Sequence, residues 1–154
     1  MDANDEVNGI EHLSIHECWD ALRSADIGRL AVIIDDHPEI FPLTYMVDHG
    51  TVVFRSAEGS KVDGVRSGHP LAFEVDGYDR STNRAWSAVI KGTAEEPRDI
   101  DEAAAAAMLP IFPWQAGEKN HFVRIVPDQI SGRRFPVQPR GRRLSSISGE
   151  PDVE

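Results

Sequence analysis

The run Phe54-Arg55-Ser56-Ala57-Glu58-Gly59-Ser60-Lys61 gathers the residue types that hold a phosphate. A strand rich in β-branched and aromatic residues ends at Ser56, Gly59 permits a tight turn, and Ser60 and Lys61 open a short helix. Free backbone N–H groups, a hydroxyl and an ammonium would then converge where the Arg55 guanidinium also emerges, a donor set suited to an anion. The same run also reads as an ordinary helix start with Arg55 and Lys61 in solvent, because short Gly-Ser-Lys turns are common. The residues alone leave that choice open.

Other chemistry is scarce. No G-x-G-x-x-G follows a strand, and G-x-x-x-x-G-K-[ST], G-x-S-x-G and H-E-x-x-H are all missing, which argues against a Rossmann nucleotide site, a P-loop and a zinc-protease helix. Of the six histidines, only His12 and His16 are four residues apart. Ser14 caps the next helix between them, so the two rings do not share a helical face as a metal pair must, and no metal site is expected. Cys18 is the single cysteine, with Glu17 beside it; nothing lowers its pKa, no internal disulfide can form, and it reads as core. No His or carboxylate pair announces a general acid and base, so no catalytic residue is nominated.

The elements that must position the phosphate-type run follow from periodicity. Ser14 and Glu17 have capping-box spacing, and Ile15, Cys18, Trp19 and Leu22 recur at helical spacing, so residues 15–24 form one amphipathic helix. Gly28 to Ile34 and Glu39 to Val47 read as a hairpin around Asp35-Asp36-His37-Pro38, and Thr51 to Ser56 as a third strand after the Asp48-His49-Gly50 turn. Val62 and Val65 mark a short helix ended by Ser67-Gly68-His69-Pro70. Leu71 to Val75 and Trp86 to Ala94 are the fourth and fifth strands, separated by a polar loop from Asp76 to Ala85. Asp99 and Glu102 precede a helix over Ala103 to Leu109, stopped by Pro110 and Pro113. His121 to Val126 is the sixth strand, with an extension from Gln129 to Arg133. Six mostly sequential strands with helices at the connections predict a mainly β fold, a small barrel with α decorations.

Composition sets the frame. The 154 residues suit one domain, divided as an acidic extension over 1–11, a folded domain over 12–135, and a Pro-, Gly-, Ser- and Arg-rich tail over 136–154 that is expected to be flexible. A net charge of -10 repels phosphate backbones, so nucleic acid is not expected as a partner. No apolar run approaches the length of a membrane span, and the start MDANDEV lacks a basic-then-apolar leader, so the expectation is a cytoplasmic protein without membrane contact.

Taken in order, Gly28-Arg29-Leu30-Ala31, Pro42-Leu43-Thr44-Tyr45, Phe54 to Lys61, Phe73-Glu74-Val75-Asp76, Trp86-Ser87 with Val89, Pro113-Trp114, and Ile130-Ser131-Gly132-Arg133-Arg134 form a set. That set resembles the pyridoxamine 5′-phosphate oxidase-like family, in the actinobacterial branch related to nitroimidazole-resistance reductases. The resemblance spans about residues 12 to 135 and rests on the order of the motifs rather than on any one of them. It implies a six-stranded split β-barrel that forms a homodimer, with FMN in grooves at the interface. It further implies that Arg55, Ser56, Ser60 and Lys61 meet the phosphate, that Pro42, Leu43, Thr44 and Tyr45 border the isoalloxazine ring, and that Trp86 and Ser87 face the flavin. Thr44 stands where this branch carries an asparagine, keeping a hydroxyl and losing an amide.

Several positions carry two readings. Trp86 and Trp114 serve either packing or flavin stacking. Glu74, between Phe73 and Val75, reads as a solvated outer-face residue. Arg133 and Arg134 either reach an anionic ligand or begin a basic tail with Arg140, Arg142 and Arg143. Function likewise divides into an FMN-dependent oxidoreductase between NAD(P)H and a small organic molecule, and a non-catalytic carrier of a flavin (FMN or FAD), a deazaflavin or haem.

Overall fold

The computed structural model describes residues 3–57, 59–112 and 121–138. In chain order the elements are α1 (Ala3–Val7), β1 (Glu11–His12), α2 (Ile15–Ser24), β2 (Ile27–Ile34), β3 (His37–Thr44), β4 (Met46–Asp48), β5 (Thr51–Ser56), α3 (Ser60–Arg66), β6 (Leu71–Asp79), β7 (Arg84–Glu95), α4 (Ile100–Ala107) and β8 (His121–Pro136). The strands pair in the order β3-β2-β6-β7-β8-β5-β4, with β1 added on β8. The strands at the two ends of that order, β3 and β4, are consecutive in the chain and separated only by Tyr45. One bent strand therefore supplies both edges, and the sheet curls into a barrel. Counting β3 and β4 together recovers the six expected strands; the two-residue β1 is extra.

The barrel is split where that strand bends. β4 pairs with the Thr51–Val53 half of β5, whereas β3 pairs with β2. Among the described residues no ladder joins β3 to the Phe54–Ser56 half of β5, although the two strands touch. Pro38 and Pro42 on β3 suit an open edge, since a proline has no N–H to offer a neighbour.

Alternation along the strands turns Leu30, Phe54, Phe73 and Ile90 inward, where they are fully buried, and Leu22 of α2 joins them. A Cβ on Gly28 would lie 2.2 Å from the Phe73 ring. Gly28→Ala is therefore expected to overpack the core and cost about 1–3 kcal/mol, read as a lower denaturation midpoint at unchanged slope.

α2 spans the expected residues, with the reciprocal cap in place: the Glu17 N–H donates to Ser14 Oγ at 3.2 Å and the Ser14 N–H to Glu17 Oε1 at 3.0 Å. Those bonds hold the Glu17 carboxyl below its ordinary range. Cys18 is buried, and burial pushes its thiol pKa up, away from reactivity.

The loop expected from Asp76 to Ala85 is corrected. β6 continues to Asp79, β7 begins at Arg84, and residues 80–83 make a tight turn. Asn83 adopts a left-handed φ of 56° there and accepts the Tyr78 hydroxyl at 2.6 Å, while Asp79 caps Ser81. Polar composition marked an exposed strand end rather than a break in the ladder.

Three boundaries also move. The strand expected over Glu39 to Val47 begins at His37 and is interrupted at Tyr45. α4 starts on its Asp99 cap and ends at Ala107, with the Met108 and Leu109 N–H groups closing a tighter last turn before Pro110. The sixth strand and its extension are one element, β8, interrupted by a bulge opposite Lys91 and Gly92 that accommodates Pro127 and Asp128. Within the acidic extension, α1 is tied to β1 by a 2.8 Å bond between Asp5 and His12. Beyond β8 the Val137 N–H bonds to Asn83, and the rest of the tail from 139 lies outside the described residues. Among the described residues, no helix is long and apolar enough to cross a membrane.

Candidate functional site

Two of the polar side chains that the sequence singled out, Thr44 and Arg55, meet at the seam between β3 and β5. On β5, Phe54 and Ser56 face inward, which leaves Val53 and Arg55 outward. The Arg55 guanidinium lies 5.1 Å from the ring centroid of Phe122, its cross-strand partner, and donates to the Ile111 carbonyl at 3.5 Å. From the opposite wall, the Thr44 hydroxyl donates to the Phe112 carbonyl at 2.5 Å. Thr44 and Arg55 thus hold consecutive carbonyls of the strap that follows α4. Within that strap Ile111 is buried and Phe112 is exposed.

At the α3 end of the seam, the Lys61 ammonium lies 5.4 Å from the Phe41 ring of β3. Ser60 is the first residue of α3. Gly59 holds φ at 148°, a backbone state that disfavours any side chain, and it caps α3 without a side-chain bond, unlike Ser14 on α2 and Asp99 on α4. α3 is also clasped from behind: Glu96 accepts from Arg66 at 3.0 Å and lies 3.4 Å from His121. The Arg66 bond is the main reason the Glu96 carboxyl sits below its usual range.

Strand alternation divides the remaining residues. Pro42 faces out beside Thr44, whereas Leu43 and Tyr45 are buried in the core. Tyr45 donates to the Leu22 carbonyl and meets Phe73 edge-on at 4.8 Å. Burial holds its phenol protonated beyond the ordinary range. An unfolded chain releases that proton near pH 10, so it binds fewer protons than the folded chain above that point, and stability present below about pH 10 falls as pH rises. Tyr45→Phe is expected to flatten that alkaline decline in melting temperature. An unchanged slope in the variant would remove Tyr45 as its cause.

Ser56 is buried and its hydroxyl donates to the Ala57 carbonyl at 3.0 Å. Trp86 and Ser87, consecutive on β7, face opposite ways. The Trp86 indole packs inward over Gly77, where a Cβ would lie 2.6 Å away, and borders a hollow with Glu17, Asp20 and Arg134. Ser87 faces out between its partners Asp76 and Arg133. Arg133 is exposed, 5.7 Å from the Phe135 ring, and Arg134 points toward Glu11 and Glu17. Beside them, Arg29 reaches Glu74 at 3.1 Å and Asp76 at 3.4 Å; burial and the adjacent Asp76 nevertheless push the Glu74 carboxyl up. Ser87 lies three strands from Thr44, about 14 Å along the sheet, so it does not converge on the seam of its own chain. Trp114, Arg140, Arg142 and Arg143 lie outside the described residues.

Sequence reasoning missed Phe122 and the Ile111–Phe112 strap. Alternation in His121-Phe122-Val123 marked Phe122 as outward-facing, but only the register of β5 with β8 sets it against Arg55.

Arg55 and the Thr44 hydroxyl beside unladdered strand edges, with Lys61 over the core-side Phe41 at the start of α3, are donors suited to an anion. Known proteins share this architecture. A structure from Corynebacterium glutamicum, of a protein classed with the pyridoxamine 5′-phosphate oxidases, superposes with a TM-score of 0.74 at 38% identity, over 83% of this chain and 99% of that one. The FAD-binding protein of Mycobacterium smegmatis superposes with a TM-score of 0.67 at 37% identity, over 81% of this chain and 97% of its own. Among curated sequences, the uncharacterised protein Rv3129 of Mycobacterium tuberculosis is 33% identical over 105 residues, 68% of this chain and 94% of its own. The pyridoxamine 5′-phosphate oxidase family matches residues 14–134, which takes in every strand from β2 to the bulged β8 that closes the split barrel, and to that family this chain belongs.

Proposed function

We propose that this chain binds a flavin in the β3–β5 seam, with FMN as the cofactor, and works as an oxidoreductase between NAD(P)H and a small organic molecule. The observation that carries the reading is the unladdered seam flanked by Thr44, Arg55 and Lys61. A bound flavin supplies the electron transfer. Arg55 and Lys61 neutralise its phosphate, Phe122 and Phe41 keep those two cations against the barrel, and Thr44 fixes the Ile111–Phe112 strap that shields the seam from water. The FAD-binding relative from Mycobacterium smegmatis supports a flavin and keeps FAD as the alternative to FMN.

The functional unit is proposed to be a homodimer. The outer face of β3, β2, β6 and β7 carries exposed Ile40 and Ile27, and a second copy seated there brings its Ser87 and Arg133 toward this chain's seam. A single, buried thiol agrees with a cytoplasmic setting.

Mass spectrometry of the co-purifying ligand identifies FMN against FAD, deazaflavin or haem. Mixing the loaded protein anaerobically with NADH or NADPH is expected to bleach the flavin absorbance. One feature favours the carrier reading: Thr44 and Arg55 both hold the strap across the seam, which restricts access to a ring beneath it. A loaded protein that neither nucleotide bleaches would establish the carrier.

A further inference from the structure

A second cavity lies outside the seam, between α4 and the outer face of β5 and β8. Its volume is about 400 Å³, within the range of small-molecule sites. The floor is apolar: half-buried Phe122 is its open part, and Val53, which points outward from β5, and Ala106 of α4, both buried, back it. The rim is charged and already matched in part. Arg124 is bound to Asp48 at 2.9 Å and also donates to Thr51, and Arg98 is bound to Glu102 at 2.9 Å. Both lining arginines, and the lining His49 at 2.9 Å from Asp48, are therefore already engaged by lining carboxylates. Glu96 answers to Arg66 and His121. Glu95 also lines the cavity, opposite Arg124 on the β7–β8 ladder and within the field of Arg98, and among the described residues no hydrogen bond or ion pair closes on its carboxylate. Counting Arg66, which Glu96 holds, four carboxylates against three arginines leave the rim negative.

We propose that the α4 cavity is a binding site for a small unphosphorylated organic amine, its hydrocarbon body on the Phe122 ring backed by Val53 and Ala106, and its ammonium on Glu95. Apolar burial supplies the affinity, and the rim charge selects the cation over an anion of the same shape. The site is independent of the flavin reading. It adjoins the seam through Phe122, which carries Arg55, but needs no occupant there.

The test uses the full chain with no flavin added and three probes of one shape: phenethylamine, 2-phenylethanol and 3-phenylpropionate. Phenethylamine is expected to shift the backbone amide resonances of Val53, Glu95, Ala105, Phe122 and Arg124. Its dissociation constant is expected to rise about 10-fold in Glu95→Gln, on the scale of one charge-assisted hydrogen bond. The exposed Ala105→Phe, which fills the cavity without touching the core, is expected to abolish the shifts, and the alcohol and the carboxylate are expected to bind more weakly than the amine. Absence of shifts up to the amine's solubility limit overturns the proposal. So does equal binding of the carboxylate, or amine binding indifferent to both substitutions.

Discussion

Lys61→Ala and Arg55→Ala are each expected to weaken FMN binding by about 10- to 100-fold while leaving riboflavin binding nearly unchanged. Riboflavin lacks the phosphate, and a charge-assisted hydrogen bond contributes on the order of 1.5–3 kcal/mol. The structure puts the two cations on different elements, Arg55 on β5 and Lys61 on α3, each laid over an aromatic ring. Their effects are accordingly separable. Ser60→Ala follows with a smaller loss, nearer about 1 kcal/mol for a neutral donor. Fluorescence titration with both ligands, alongside a melting curve for each variant, isolates the phosphate. Equal losses for FMN and riboflavin would move these residues to another part of the cofactor, and no loss would return Gly59-Ser60-Lys61 to a plain helix start.

Val89→Arg is expected to convert a dimer into a folded single chain and to weaken FMN binding at the same time. Val89 faces out from β7 between Glu74 and Ser131, so an arginine there meets Glu74 within its own chain while placing bulk and charge in the proposed contact. Among the described residues, no helix covers Ile40 or Ile27 on the outer face that surrounds it. Light scattering reports the change directly, with the variant at the 17.0 kDa of one chain and the wild type at twice that. A wild type that already scatters as one chain at micromolar concentration would contradict the dimer. A monomeric variant with unchanged FMN affinity would separate the dimer from the site.

How much of this was legible in the sequence depended on whether a signal was local. The cap of α2 is local: Ser14 and Glu17 satisfy each other within one turn, and the helix runs over the expected residues. The phosphate-type run is also local, and its strand and helix both form, with Gly59 as the N-cap of the helix. Pairing is not local. The turn at 80–83 depends on Trp86 lying over Gly77, a partnership across the ladder that polar composition concealed. Likewise, Pro42 to Tyr45 read as one segment, yet the pleat sends Thr44 to the seam and Tyr45 into the core. Trp86 and Ser87 separate for the same reason. The strap reached by Thr44 and Arg55 lies 68 and 56 residues further along the chain, beyond any spacing rule.

The seam itself is tested most directly by mapping backbone amide shifts on titration with FMN and, separately, with riboflavin. Both ligands are expected to move the amides of Leu43, Thr44 and Phe54, on the two walls of the seam. Only FMN is expected to move those of Gly59 and Lys61, where the phosphate meets α3. Shifts confined to α2 or to the α4 cavity, with the seam amides unmoved, would contradict a flavin between β3 and β5.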